Sequence, residues 1–391
     1  MDGSAERESR VAHDPCVTPE HAAFRAMVRR FVENELRPRA REFDREGRID
    51  KTLYPRMGAL GLLGLRFDPR WGGAGLDWSY TAVLFEELAR CDNAGVWLGI
   101  SVHTDMATPA LHQFGSDALR RRFLAPAIRG EQVAAIAVTE PAAGSDVAGI
   151  QTRARRDGDD WVINGSKLYI TNAATADWLC LLAVTDPGAG YAGFTQIIVP
   201  TDSPGFRFDL LDKIGHWGSD TGQLYFEDVR VPIANTIGQI GRGFQQQMVQ
   251  FQDERLVGSI AALAASFELW ERTRQHCEQR VLFGRSLASM QVTQFKLVEL
   301  LTELTAAREL VGACVRRRIA GEDAVKEISM AKLFVARTVR AVADECVQLH
   351  GGFGYMKESV AGRAFVDSRL QSIGGGSDET MIHYLAKLLG F

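Results

Sequence analysis

Ala137 to Asp146 reads AVTEPAAGSD, and two later stretches belong with it: Asn164 to Asn172, NGSKLYITN, and Lys213 to Pro232, KIGHWGSDTGQLYFEDVRVP. The first combines small residues, over which a backbone can approach a planar ligand, with hydroxyls and amides that can bond the ligand's polar edge. Alone it is an ordinary turn between strands. Its weight comes from the order and spacing of all three stretches, and from their surroundings. Short apolar runs (Val133 to Val138, Trp161 to Ile163, Trp178 to Val184, Gln196 to Val199) alternate with turn clusters such as Asp157-Gly158-Asp159 and Asp186-Pro187-Gly188, which reads as a β domain.

On the N-terminal side, residues from Pro19 to Arg129 carry helical periodicity. Phe24, Met27, Val28 and Phe31 recur at spacings of three and four, Thr81 to Leu88 repeats the theme, and Arg70 to Gly75 (RWGGAG) breaks it. On the C-terminal side, long helical patterns with few breakers run over about 243–279, 289–320, 325–352 and 378–389, as in an antiparallel bundle. The expected organisation is a disordered leader over 1–18, a helical domain over 19–131, a β domain over 132–242 and a helical bundle over 243–391.

Bulk properties agree with several domains, because 391 residues exceed the roughly 250 to 300 at which one hydrophobic core stops growing. A formal net charge of -4 gives no general attraction to nucleic acid or anionic membrane. No apolar run approaches the roughly 18 residues of a membrane-spanning helix, so no membrane insertion is expected. The N-terminal MDGSAERESRVAHDP is polar and carries acids, unlike a secretory signal or a transit peptide. The six cysteines are scattered with no C-x-x-C pair, which fits a reduced interior. The basic residues are mostly Arg, as in GC-rich bacterial genomes, and the expected setting is the bacterial cytoplasm. The eight histidines lack ligand spacing and no metal is expected; no Ser-His-Asp arrangement or phosphate loop is visible.

Taken together, the three stretches and the C-terminal half resemble the acyl-CoA dehydrogenase family. The resemblance implies an α+β multidomain fold: an N-terminal α-helical domain, a central β-barrel-like domain and a C-terminal four-helix bundle. It implies FAD as cofactor, with Ala137, Val138, Thr139 and Ser145 at the flavin. Ala142 stands where the family more commonly has Gly. Tyr169-Ile170-Thr171 matches the family's Trp-Ile-Thr, whose aromatic ring covers the flavin and whose threonine bonds near N5. Arg280 and Phe283 in RVLFG, Gln291, and Gln348, Gly351 and Gly352 in QLHGGFG match segments that reach the FAD held mainly by a neighbouring subunit. Arg suits a pyrophosphate because its planar fork bonds two oxygens at once. Ser377 and Glu379 match further FAD contacts. A shared site of this kind implies a homo-oligomer, either a dimer or a dimer of dimers (a homotetramer).

The family's reaction needs one carboxylate to remove an α-proton from an acyl thioester while hydride leaves the β-carbon. Most members keep it in a motif resembling I-Y-E-G-T-S-E. Here that stretch is Ile373-Gly374-Gly375-Gly376-Ser377-Asp378-Glu379, with Gly375 in the carboxylate's place. The long-chain and isovaleryl-CoA branches share this loss and supply the Glu from a helix, in a motif similar to Phe251-Gln252-Asp253-Glu254-Arg255-Leu256. Glu254 is therefore the expected base. It shares a helix face with Phe251 and Gly258, and partial burial there raises its pKa toward a useful range. Asp253 is the rival, about 100° around the helix. Arg255 matches an Arg that helps hold the CoA end. Ser145, Phe251, Arg255, Gly375 and Gly376 are the expected substrate-binding residues, and the glycine run widens the site beside the thioester.

The resulting expectation is α,β-dehydrogenation of a medium- or long-chain or methyl-branched acyl-CoA in fatty acid metabolism, with an electron-transfer flavoprotein taking the electrons. Two alternatives are a dehydrogenase of an acyl group bound to an acyl-carrier protein, marked by a basic docking surface, and a flavin monooxygenase of the same fold, which dispenses with the base. A binding paralogue without turnover fits less well, since both the flavin residues and a base are present.

Overall fold

The computed structural model describes residues 18–391. The leader expected over 1–18 lies outside the described residues except for Thr18, the residue before the first helix. Eight α-helical segments then follow: α1 Pro19–Phe31, α2 Ala40–Glu46, α3 Leu53–Ala59, α4 Trp78–Leu88, α5 Ala94–Ser101, α6 Thr108–Phe114, α7 Asp117–Leu119 and α8 Ala125–Ile128. Local chemistry marks their starts. Pro19 opens α1, where its missing N–H costs nothing, and the Asp77 and Asn93 side chains accept backbone N–H bonds at the heads of α4 and α5. Between α5 and α6 the chain stays helical through a widened turn, Val102–Ala107, whose residues are all buried.

Eight strands form one sheet: β1 Ala134–Ala137, β2 Arg153–Asp157, β3 Asp160–Thr171, β4 Trp178–Val184, β5 Phe194–Pro200, β6 Phe206–Leu210, β7 Thr221–Pro232 and β8 Thr236–Ile237. Their order is β6-β7-β3-β2-β4-β5-β8, with β1 added on β4. The pairs β1–β4 and β2–β4 are parallel and the others antiparallel. This corrects the barrel-like expectation: the sheet is mixed and open, with β6 and β8 at its two ends. Closure depends on tilt and stagger between strands, which alternation of residues within a strand does not encode.

The C-terminal half holds α9 Gly243–Gln279, a short hairpin of β9 Val281–Leu282 and β10 Arg285–Ser286, then α10 Gln291–Ile319, α11 Val325–His350, α12 Val360–Arg369 and α13 Asp378–Leu388. Helix α11 packs on α9, α10, α12 and α13. The two helical halves share one hydrophobic core, in which Leu84 and Leu88 of α4 meet Leu256 and Ile260 of α9, Leu304 of α10 and Val335 of α11. Among the described residues no helix is long and apolar enough to cross a membrane.

Helix α9 spans about 55 Å at 1.5 Å per residue and joins all three parts. Its first residue, Gly243, sits so close to β5 that an added Cβ would stand 2.6 Å from the Thr195 carbonyl carbon. Gly243→Val therefore destabilises the fold by about 1 to 3 kcal/mol, the usual cost of forcing volume into a packed contact. An unchanged urea midpoint in that variant contradicts this docking.

Candidate active site

The first two sequence stretches meet where β1 ends against β3. Leu168 N donates to Thr139 O at 2.8 Å, and the Lys167 ammonium donates to Val138 O at 2.8 Å. Beyond Lys167, β3 slips register against β7 until Ile170. Tyr169 sits in this bulge with φ +61 and 68% of its surface exposed. Left-handed backbone is rare for a bulky residue, and bulges commonly re-aim a side chain beside a site. Ala137 and Val138 are buried beneath, Ile170 is buried, Thr171 is half-buried, and Ser145 is exposed in the turn. An exposed aromatic ring, small residues and an open turn, with nothing within 4 Å of an added Gly144 Cβ, offer chemistry that suits a planar flavin.

Sequence reading missed what fastens this region. Lys167 is fully buried and pairs with Glu140 at 2.8 Å; Glu140 also accepts the backbone N–H groups of Gln151 and Thr152, at 2.6 and 2.9 Å. Burial pushes the Lys167 ammonium down to about 8. Burial works against the Glu140 carboxylate too, but the lysine charge and these bonds outweigh it and hold the carboxyl below its usual range. The signal was an acid and a base in successive stretches of the signature, Glu140 in the turn after β1 and Lys167 on β3.

Arg280, Phe283 and Gln291 lie in the segment after α9, and Gln348, Gly351 and Gly352 lie where α11 ends. The two ends are adjacent: His276 and His350 stack with ring centroids 4.3 Å apart. Phe283 is 97% exposed, and added Cβ atoms at Gly351 and Gly352 meet nothing within 4 Å. Twenty-six residues of helical rise put this group about 39 Å from Glu254. Apart from Ser377 and Glu379, the expected cofactor residues thus fall into two clusters within one chain. Ser377 has local work as well: its hydroxyl caps α13, accepting from Thr380 N, while Glu379 is exposed in the first turn.

Glu254 stands at the centre of a third cluster. A Cβ built on Gly375 would be 3.4 Å from Glu254 Oε1, so the carboxylate borders the place that the missing side chain leaves open. Gly375 and Gly376 have φ +65 and +103, conformations that glycine adopts freely. Arg255 Nε donates to Gly375 O at 2.9 Å, so part of its guanidinium is committed to the turn. Phe251 packs against the small apolar cluster that contains Val138 and Ala143, tying α9 to the turn after β1. Burial raises the Glu254 pKa above the ordinary value, and the nearby charges of Arg255 and Lys332 offset only part of the effect.

Asp253 has a different fate. Its Oδ2 accepts from Arg66 Nη1 at 3.0 Å and its Oδ1 from Arg318 Nη2 at 2.9 Å. Arg66 also bonds Asp105 at 2.8 Å and lies over the Trp78 ring at 3.8 Å. This network ties α9 to α10 and to the N-terminal helices. Among the described residues no group of three or more His, Cys, Asp or Glu side chains is placed to hold a metal ion.

From Glu254 along the same face of α9 come Gly258, Ala262 and Ala265. Gln371 Oε1 lies 4.0 Å from a Gly258 Cβ, and a cavity of about 690 Å³, counting its open mouth, follows between α5, α9, α11 and α12. Trp97, Ala262, Ala265, Val339 and Gln371 are among its walls.

Family models for the N-terminal, middle and C-terminal domains of acyl-CoA dehydrogenase match residues 18–131, 135–229 and 241–390. The chain belongs to the acyl-CoA dehydrogenase family. Its relatives include a long-chain specific acyl-CoA dehydrogenase of Sus scrofa, 38% identical over 94% of this chain and 86% of that one. A short-chain specific acyl-CoA dehydrogenase of Clostridium acetobutylicum is 34% identical over 93% and 96%. The crystal structure of an acyl-CoA dehydrogenase from Geobacillus kaustophilus superposes with a TM-score of 0.94 at 36% identity, covering 96% of this chain and 100% of that one. Acyl-CoA dehydrogenases are flavoprotein oxidoreductases, and relatives of both long- and short-chain specificity lie at similar distance.

Asp253→Asn removes one partner from a buried charge network, and such losses cost about 3 kcal/mol. The variant therefore unfolds earlier in thermal denaturation, while flavin bleaching by acyl-CoA, per folded molecule, stays within about threefold of wild type, a range well below the loss of a general base. A rate loss of hundredfold without loss of stability contradicts the assignment of Asp253 to structure.

Proposed function

We propose that this acyl-CoA dehydrogenase is FAD-dependent, removes hydrogen across the α and β carbons of a medium- or long-chain or methyl-branched acyl-CoA, and uses Glu254 as its base. The observation that carries the reading is the Glu254 carboxylate beside Gly375, where the usual position for the base holds no side chain. Bound flavin supplies the acceptor for the β-hydride. Glu254 takes the α-proton, so the thioester loses one proton and one hydride and leaves as the 2-enoyl-CoA.

A base in this setting has two requirements. It must be ionised when substrate arrives and basic enough to take a weakly acidic proton. Burial raises the Glu254 pKa and so serves the second, while Arg255 and Lys332 restrain the rise and serve the first. Tyr169, with Val138, Thr139, Ser145, Ile170 and Thr171, would hold the flavin ring, and Phe251 would keep α9 pressed to the turn after β1. The acyl chain would run along α9 from Glu254 past Gly258 to Ala262 and Ala265, about 16 Å of helix, into the cavity walled by Trp97. The length of this small-residue face, Gly258 to Ala265, is what supports a medium or long acyl group. Arg280, Phe283, Gln291, Gln348, Gly351 and Gly352 would complete the site of a second copy, with Ser377 and Glu379 as further FAD contacts. An electron-transfer flavoprotein would reoxidise the cofactor.

Anaerobic titration with acyl-CoAs of graded length tests the substrate reading: chains long enough to pass Ala262 bleach the flavin fastest, and a preference for four-carbon chains contradicts it. Glu254→Gln keeps the yellow cofactor and loses about 100-fold or more of the bleaching rate, the scale of a general base; near-full activity refutes the assignment. In wild type, kcat/KM rises with pH through the Glu254 titration, because only the carboxylate accepts a proton. That limb lies above the ordinary glutamate range, as a raised pKa requires.

A further inference from the structure

One cation at this site has no part in the sequence signature. Lys332 lies on α11, 6% exposed, and its ammonium donates to Gly376 O. With Arg255 Nε on Gly375 O, two cations hold successive carbonyls of the glycine turn, and Glu254 borders the same turn. The turn needs such fastening. A chain of three glycines has the greatest backbone freedom of any sequence, and an added Cβ at Gly376 would stand 2.6 Å from Met381 Cε, so the backbone there lies tight against α13.

The charges that face Lys332 come from two elements: Glu254 and Arg255 on α9, and Asp378 and Glu379 at the head of α13. The Asp378 carboxylate is shared with Arg337, 3.3 Å from Oδ2. Burying an ammonium is costly unless it is bonded and near opposite charge. A hydroxyl or amide at position 332 could also donate to Gly376 O, so the charge has work beyond the hydrogen bond. Asp378 is the acid that acts on Lys332 most strongly, and it has Arg337 as a second partner; Glu254 gains as well, since burial disfavours its ionised form and Lys332 is one of the two cations that oppose this. Burial brings Lys332 down to about 8, which leaves it cationic wherever a carboxyl titrates.

We infer that Lys332 is a positioning residue for the reaction: it clamps the glycine turn against Glu254 and supplies the charge that keeps the proton-accepting carboxylate ionised. This rests on the proposed function. It acts through Glu254 and the turn.

Three substitutions separate the clamp from the charge. Lys332→Gln keeps a donor for Gly376 O without charge, Lys332→Met keeps neither, and Lys332→Arg keeps both. Each is purified as the yellow protein, and kcat/KM for flavin reduction by a long-chain acyl-CoA is followed against pH. In Lys332→Gln the acid limb moves up by about one pH unit, the smaller end of the effect of a nearby charge, and the rate on that limb falls about tenfold while the high-pH plateau stays near wild type. In Lys332→Met the same shift comes with a lowered plateau, and in Lys332→Arg the limb stays near wild type. If Lys332→Met does not fold, the contrast of Gln with Arg still reads the charge. Limbs of Gln and wild type that coincide, or an Arg limb that moves with the Gln limb, overturn the inference. Wild-type protein that no acyl-CoA bleaches refutes the proposed function instead, so the two failures are distinct.

Discussion

A carboxylate taken out of water must be matched by positive charge or must tolerate a raised pKa, and α9 carries two carboxylates inward at successive positions. Asp253 takes the first course. Arg66 and Arg318 each bond one of its oxygens, and breaking such a buried network costs several kcal/mol, so the pair of arginines welds α9 to its neighbours. Glu254, about 100° further round, takes the second course. It faces a glycine turn and two cations that are themselves partly committed to backbone carbonyls. One carboxylate is saturated and structural; the other, under the proposed function, is the reactive one. The rest of the site is built around holding that difference in place.

Helix α9 is the member through which this is done. Its head is pressed against β5 by Gly243, its middle carries Phe251 against the apolar cluster of Val138 and Ala143 and Glu254 against the glycine run, and its tail places Arg280 far from both. On the sheet side, rigidity comes from Lys167 and Glu140, which bind β1's exit, β3 and the start of β2 through one buried pair and two amide bonds. The bulge at Tyr169 is affordable there because the strand on either side of it is anchored, at Lys167 and at Ile170.

Much of this was legible from residue order. Helical periodicity and turn residues locate α1, α4 and α9 to α11, and the bounded apolar runs locate β1, β3, β4 and β5. Gly375 was readable as an absence, and Glu254 as a candidate beside it, because motif and helix register are both local; the structure places the two together. Three features were not. Closure of the sheet depends on stagger between strands distant in sequence. The Lys167–Glu140 and Arg66–Asp253 pairs join residues 27 and 187 positions apart, and a charged residue in sequence reads as solvated until its partner is known. Lys332 sits in a helix that also carries Arg337 and Arg340, bonded to Asp378 and Ser372, and only the fold of the turn after α12 brings Gly376 to it.

The most direct test isolates proton abstraction from electron transfer. An acyl-CoA analogue with sulfur in place of the β-carbon has no β-hydride to give, but its α-protons can still exchange with solvent when a base removes them. Exchange in D2O is followed by proton NMR for the wild-type flavoprotein, Glu254→Gln and Asp253→Asn. The account predicts rapid α-exchange in wild type and Asp253→Asn, and loss of about 100-fold or more in Glu254→Gln. Exchange that survives in Glu254→Gln and fails in Asp253→Asn would contradict it.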